Sequence, residues 1–252
     1  MRFDEIGYWS EVKLDMVREY AQAYSTVIAN NHVIRQHLYV DAFAGAGVHI
    51  SKRTGEFVLG SPLNALNVSP PFSEYHFIDL DGDKADHLKE IVADDPRVFV
   101  YQEDCNQVLL KDVFPRAKWD DYHRALCLLD PYALNLDWEV VQAAGQMRSI
   151  ELFINFMVMD VNRNVLWRNP DKVSQSQVSR MDRFWGDKSW RHVLYKQSPS
   201  LFEDMNIEEK ASNEVVAQVY RARLKDVGEH YSFVGVMRRW SAGMQRLCSS
   251  GL

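Results

Sequence analysis

Residues 38–47, LYVDAFAGAG, join an apolar run to an aspartate and then to a stretch almost bare of side chains. A strand covered on both faces of a parallel sheet reads as a continuous apolar run, not an alternating one. Leu38, Tyr39 and Val40, closing on Asp41, have that form. Gly45 and Gly47 follow, where glycine tolerates a positive φ and presents no Cβ to obstruct a ligand. In open α/β sheets ligands sit beyond the carboxyl ends of the strands, so the loop after the first strand is where backbone must come close. A tight strand exit with no ligand is the alternative reading of the same glycines.

Outward from this stretch, the pattern repeats. Val17, Tyr20, Tyr24 and Val27 recur at steps of three and four, which predicts an amphipathic helix over residues 9–28. Strands are expected at HLYVDAF (37–43), EYHFID (74–79), RVFVY (97–101), ALCLLD (125–130) and ELFINF (151–156). Helices are expected at SPLNALNV (61–68), KADHLKEIVAD (84–94), CNQVLLKDVF (105–114) and LDWEVVQAAGQM (136–147), the last with Asp137 placed to cap it. Strands alternating with helices predict an α/β class: a doubly wound, Rossmann-type sheet with helices on both faces. Residues 160–228 lack any strand-like run and read as a helical cap or insertion; YSFVGV (231–236) reads as one further strand. The chain, 1–252, is expected to be a single domain carrying that insertion.

At 252 residues and 46% hydrophobic content the chain can bury a large core. A formal charge of -6 argues against nucleic-acid binding by the whole surface, so such a role must rest on a local patch. Residues 161–191 offer one. Arg163, Arg168, Lys172, Arg180, Arg183, Lys188 and Arg191 stand against Asp171, Asp182 and Asp187, a local balance of +4, with Trp167, Phe184, Trp185 and Trp190 among them. Cations pair with phosphates and rings stack on unpaired bases. The alternative is that the rings form the core of the cap and the charges its solvated face. Cys105, Cys127 and Cys248 have no C-x-x-C spacing and read as reduced, cytoplasmic thiols, with no disulfide framework and no metal site expected. The N-terminus has no apolar signal core and the longest greasy stretch, LFINFMVM, is too short to span a bilayer, so no membrane association is expected.

The glycine loop limits the ligand. The dinucleotide fingerprint G-x-G-x-x-G fails because Ile50 occupies the third glycine position, and no G-K-[ST] follows to make a P-loop. S-adenosylmethionine has no phosphate and does not require a helix N-terminus directly after the turn, which fits the insertion of residues 48–60 before a helix starting at Ser61 and Pro62. Asp79, ending the second strand, could accept both ribose hydroxyls. Asp104 and the Cys105 amide could meet the adenine edge, and Asp130 would face the reactive end. Each acid alone reads equally as a helix cap or a solvated strand end.

DAFAGAG resembles the D-x-F-x-G-x-G first motif of Rossmann-fold methyltransferases, with Asp41, Phe43, Gly45 and Gly47 at the matching positions. WSEVKLDMVREYAQAY (9–24), YVDAFAGAG (39–47), GSPLNAL (60–66), FIDLD (77–81) and LLDPYALNLDW (128–138) together resemble the three-Cys-motif partner protein family, TcmP. That resemblance implies a methyltransferase fold, an adenosylmethionine site and a protein partner carrying a three-cysteine motif, to which this chain's own cysteines are unrelated. It implies Asp79 as the ribose-binding acid and Asp130, Pro131 and Tyr132 as the catalytic-edge motif. This chain departs from the D-P-P-Y of base amino-methyltransferases by a single proline. It also stops at Leu252, where relatives continue into another strand, so a final sheet strand is expected to be absent or supplied by another chain. Lys13 and His192 read either as surface residues or, for Lys13, as a group near the cofactor.

The function expected is methyl transfer to an exocyclic amine of a nucleic-acid base, Asp130 accepting from the amine, the Pro131 carbonyl taking its second hydrogen and Tyr132 stacking on the extruded base. Two alternatives stand beside it. One is a weakly active or inactive module that binds the three-Cys-motif protein; the other is a methyltransferase of small molecules or proteins.

Overall fold

The computed structural model describes residues 3–198 and 207–227; YSFVGV, Cys248 and any closing strand of the sheet lie outside them. The chain divides into two compact units, Met1–Asp130 with Ala143–Phe153, and Pro131–Gln142 with Ile154–Leu252.

The first unit runs β1 (Glu5–Ile6), α1 (Tyr8–Ala29), β2 (Gln36–Asp41), β3 (Val48–Ser51), β4 (Phe57–Leu59), α2 (Ser61–Leu66), β5 (Glu74–Ile78), α3 (Gly82–Val92), β6 (Val98–Tyr101), α4 (Cys105–Val108) and β7 (His123–Leu129). Then come α5 (Trp138–Met147), which begins in the second unit, and β8 (Ile150–Ile154). The main sheet has the order β6-β5-β2-β7-β8, and β2 pairs in parallel with both β5 and β7. This is the doubly wound α/β architecture expected of a Rossmann-type methyltransferase. β2 is the middle strand, which explains its composition: Leu38, Tyr39 and Val40 are each fully buried. Tyr39 lies beside Tyr75 on β5 and Leu126 on β7, and this face packs on Tyr24 of α1, Ala65 of α2 and Leu88 of α3. Each large buried ring there contributes about 1.5–3 kcal/mol. The opposite face carries Cys127, opposite Val40 and fully buried, a small core residue as its place inside the strand suggests.

Two expectations are corrected in this unit. Val27 is 60% exposed, because the buried stripe of α1 is Leu14, Val17, Ala21, Tyr24 and Ser25, and at 100° per residue Val27 falls off its edge. The helix expected over 105–114 is α only to Val108; Leu109–Val113 widens to a π turn and Phe114–Arg116 tightens to 3-10. Pro115 cannot donate an N–H, so the hydrogen-bond ladder of an α-helix cannot run on through it. Within residues 48–60, to which the sequence pattern assigns no element, β3 and β4 form an antiparallel hairpin, and β1 pairs with β3 in parallel.

The second unit contains α6 (Val158–Asn164), a 3-10 turn (Pro170–Lys172), α7 (Gln175–Trp185), α8 (Trp190–Leu194), β9 (Tyr195–Ser198), β10 (Ile207–Lys210) and α9 (Asn213–Val227). β9 and β10 form an antiparallel ribbon, which corrects the expectation of a mostly helical stretch without a strand-like run. Tyr195-Lys-Gln-Ser has no apolar alternation, so its strand character comes from pairing and left no mark in the sequence. Tyr220 stacks on Phe156 at 4.2 Å and on Phe184 at 5.0 Å, while Trp185 and Trp190 are buried. Arg223 lies over Trp138, 4.8 Å from its centroid.

Candidate functional site

Because β6, β5, β2 and β7 are parallel neighbours, their carboxyl ends share one edge of the sheet, and Asp104, Asp79, Asp41 and Asp130 follow or end them in that order. The expected alignment of acidic residues at strand ends is thus present in the first unit. What each carboxylate does differs.

Asp41 is fully buried. Its Oδ1 accepts the Phe43 amide at 3.2 Å, whereas the buried Oδ2 makes no hydrogen bond to any described residue. Burial pushes its carboxyl up to about 7; the nearby Ser61 hydroxyl and the Phe43 N–H offset part of this, and the charges of Asp130 and Asp79 add to it. Asp41, Asp79 and Asp130 are therefore close enough to feel one another. Ser61, the first residue of α2, had no signal in the sequence beyond its place as a helix start.

Gly45 and Gly47 take φ of +64° and +82°, the left-handed region that the sequence reading assigned to them. The Gly45 amide donates to Asp79 Oδ2 at 2.7 Å, and the Asp81 amide donates to Asp79 Oδ1 at 2.8 Å. Asp79 thus ties the glycine loop to its own strand end. Gly60 donates to the Gly47 carbonyl at 2.7 Å, closing the β3–β4 hairpin beneath the bend, and His87 Nδ1 lies 3.0 Å from the Ala46 carbonyl. A Cβ built on Gly45 would meet no atom within 4 Å, whereas one on Gly47 would lie 3.0 Å from Leu88 Cδ1. Gly45 therefore faces open space and Gly47 faces the core.

Asp104 is exposed and caps α4, accepting the Asn106 amide at 2.8 Å, with Cys105 buried behind it. The capping reading holds for its Oδ1. Asp130 forms an ion pair with Lys13 of α1, a partnership across 117 residues that no local pattern announces. His49 on β3 is a further group the sequence reading passed over. Its Nδ1 is buried without a hydrogen bond to the described residues, and burial lowers its pKa, with the charges of Asp4, Lys13, Lys84 and Asp130 acting on it. In the second unit Pro131 is buried, Tyr132 is 62% exposed, and Ala133 takes φ of +55°.

Of the basic and aromatic segment 161–191, Phe184, Trp185 and Trp190 are core residues, as in the blander of the two readings. Trp167 is 42% exposed.

The strand-end geometry fits adenosylmethionine on three counts: open space beside a Cβ-less bend, a buried Asp41 oxygen with no hydrogen-bond partner among the described residues, and carboxyl groups at the ends of four neighbouring strands. No helix among the described residues is long and apolar enough to cross a membrane. No family model matches the chain, and no curated protein is similar to it in sequence. Among solved structures, the chain is similar to a Legionella pneumophila str. Philadelphia 1 protein of the family model DUF519, with TM-score 0.45 and 11% identity over 83% of this chain and 91% of that one. It is also similar to the Escherichia coli protein "Putative methyltransferase yhhF", with TM-score 0.36 and 16% identity over 57% of this chain and 70% of that one. Neither likeness bears on activity; the strand order and register given above define the fold by themselves.

Proposed function

We propose that the protein is an S-adenosylmethionine-dependent methyltransferase whose acceptor is an exocyclic amine of a nucleic-acid base. The observation that carries this reading is the Gly45 bend, which faces open space and is held by its amide to the carboxylate at the next strand end. Asp79 would accept from the ribose with the lone pairs its two backbone contacts leave, and Asp104 and the Cys105 amide would border the purine. The cofactor, when bound, supplies an electrophilic methyl group.

The chain's own residues supply orientation and charge. Lys13 holds the Asp130 carboxylate at the end of β7 through its ion pair. An entering amine donates to that carboxylate, which turns the nitrogen lone pair toward the methyl group, and positioning of this kind supplies the rate. The Pro131 carbonyl follows directly in the chain as a second acceptor, and the exposed Tyr132 ring offers a stacking surface.

Calorimetric titration with adenosylmethionine tests the first step. Asp79→Ala is expected to weaken binding by about 10- to 100-fold, the range for hydrogen bonds to a charged acceptor. Asp79→Asn, which keeps one acceptor oxygen, is expected to fall between. Absence of binding heat in the wild-type protein overturns the proposal. Radiolabelled methyl transfer to mixed DNA and RNA then tests the acceptor.

A second reading, a module that binds a three-Cys-motif protein, is favoured by the outward large side chains Phe57 and Leu80, 69% and 74% exposed. Cofactor binding without transfer to any polynucleotide would select it.

A further inference from the structure

We infer that the Trp167 indole and the charges around it, Arg163, Arg168 and Lys172, form a binding platform on the second unit for a single-stranded polynucleotide. This inference deepens the base-methylation reading and rests on it for its biological role.

Trp167 is the exposed ring of its segment, and its orientation is set. The indole N–H donates to the Arg163 carbonyl at 2.7 Å, one turn back on α6, and the Tyr195 hydroxyl donates to the Trp167 carbonyl at 3.0 Å. A large apolar ring held outward by polar contacts at its edge and backbone presents its face ready-made, so little ordering entropy is lost on stacking.

The charges around it are sorted in a way the sequence does not show. Asp182 accepts the Trp190 indole N–H at 2.7 Å, and Asp187 pairs with Arg223 at 2.6 Å. Arg183 is paired with Asp137 at 3.1 Å, and Arg191 lies over Trp190. Arg163, Arg168 and Lys172 are exposed and form no ion pair with any described residue. Two of the segment's three acids, Asp182 and Asp187, are therefore engaged by other side chains, and Asp171 alone stays exposed beside Lys172 while Arg163, Arg168 and Lys172 face solvent, in a chain whose total charge is -6.

An exposed indole needs a base whose face is free, which a duplex does not offer except at its ends. Cations alone would take either form. The combination selects a single strand, RNA and DNA sharing this chemistry.

The test uses the full chain and fluorescein-labelled 12-nucleotide single strands of RNA and DNA, with the corresponding duplexes, read by fluorescence anisotropy. Single strands are expected to bind more tightly than duplexes, and Trp167→Ala to raise Kd about tenfold, with Trp167→Phe within about threefold of wild type. The Arg168→Gln, Lys172→Gln double variant is expected to lower the slope of log Kd against log salt by about 1.4, two phosphate contacts at about 0.7 each. Both its side chains are exposed, so it keeps the test open if Trp167→Ala fails to fold. Equal or tighter duplex binding, no strand binding, an unchanged salt slope in the double variant, or equal competition by polyglutamate at matched charge would each overturn the inference. Strand binding without adenosylmethionine binding would end the methyltransferase proposal and leave the platform standing. Cofactor binding without strand binding would do the reverse.

Discussion

At pH 8, Asp41→Asn is expected to resist urea better than the wild-type protein, by about 1–3 kcal/mol, and at pH 4 to resist it less well. Asp41 carries a carboxyl raised to about 7 by burial, against an ordinary value of 3.8. Below about pH 4 the group is protonated in folded and unfolded chains alike, and it imposes no ionisation penalty. Between about pH 4 and 7 the unfolded chain releases the proton that the folded chain keeps, so stability falls as pH rises. Above about 7 the loss is complete, on the order of 4 kcal/mol for a shift of this size. Asparagine removes the slope but leaves an amide nitrogen where Oδ2 now lacks a partner, which costs about 1–3 kcal/mol at every pH. His37, His49 and His76 also have shifted values and titrate in both proteins, so the difference between the two curves isolates Asp41. Parallel curves from pH 4 to 8 would show that the carboxylate is not held neutral. A cationic ligand at the Gly45 bend would favour the ionised form, so wild-type binding near pH 7 is expected to release a proton, visible as a buffer-dependent heat that the variant lacks.

How far the sequence carried this reading depends on whether the deciding force is local. A central parallel strand is covered on both faces, and Leu38-Tyr39-Val40 records that directly. Positive φ at Gly45 and Gly47 is likewise a local demand that glycine announces. The hairpin over 48–60 was illegible because its strands are four and three residues long and only partly buried, with β1 contributing two more from the N-terminus. The Lys13–Asp130 pair was illegible for a different reason: its members meet only once α1 has packed beside the sheet. In segment 161–191 composition gave the charges and rings, but only packing distinguishes the buried Phe184, Trp185 and Trp190 from the exposed Trp167. The period of α7, with Val178, Met181, Phe184 and Trp185 on one side, is the signal that could have assigned two of those rings to the core.

The two glycines of the bend separate cofactor binding from folding more sharply than any acid can. Both have positive φ, so alanine at either costs about 1 kcal/mol of backbone strain. There the likeness ends. A methyl group at Gly45 meets nothing within 4 Å, so Gly45→Ala is expected to fold with no further loss. That methyl would stand in the space the cofactor must approach, and Gly45→Val more so, with adenosylmethionine affinity falling about 100-fold or more, about 2.7 kcal/mol. At Gly47 the methyl would lie 3.0 Å from Leu88 Cδ1 and 3.4 Å from Leu63 Cγ. Gly47→Ala is therefore expected to lose a further 1–3 kcal/mol or so of stability to overpacking while its affinity, measured where it is folded, stays within about threefold of wild type. Thermal unfolding and calorimetric titration of both variants give the two ratios. Should Gly45→Ala bind as tightly as wild type while the wild-type protein binds, the cofactor lies elsewhere, and the bare bend is a strand exit shaped only by its own chain.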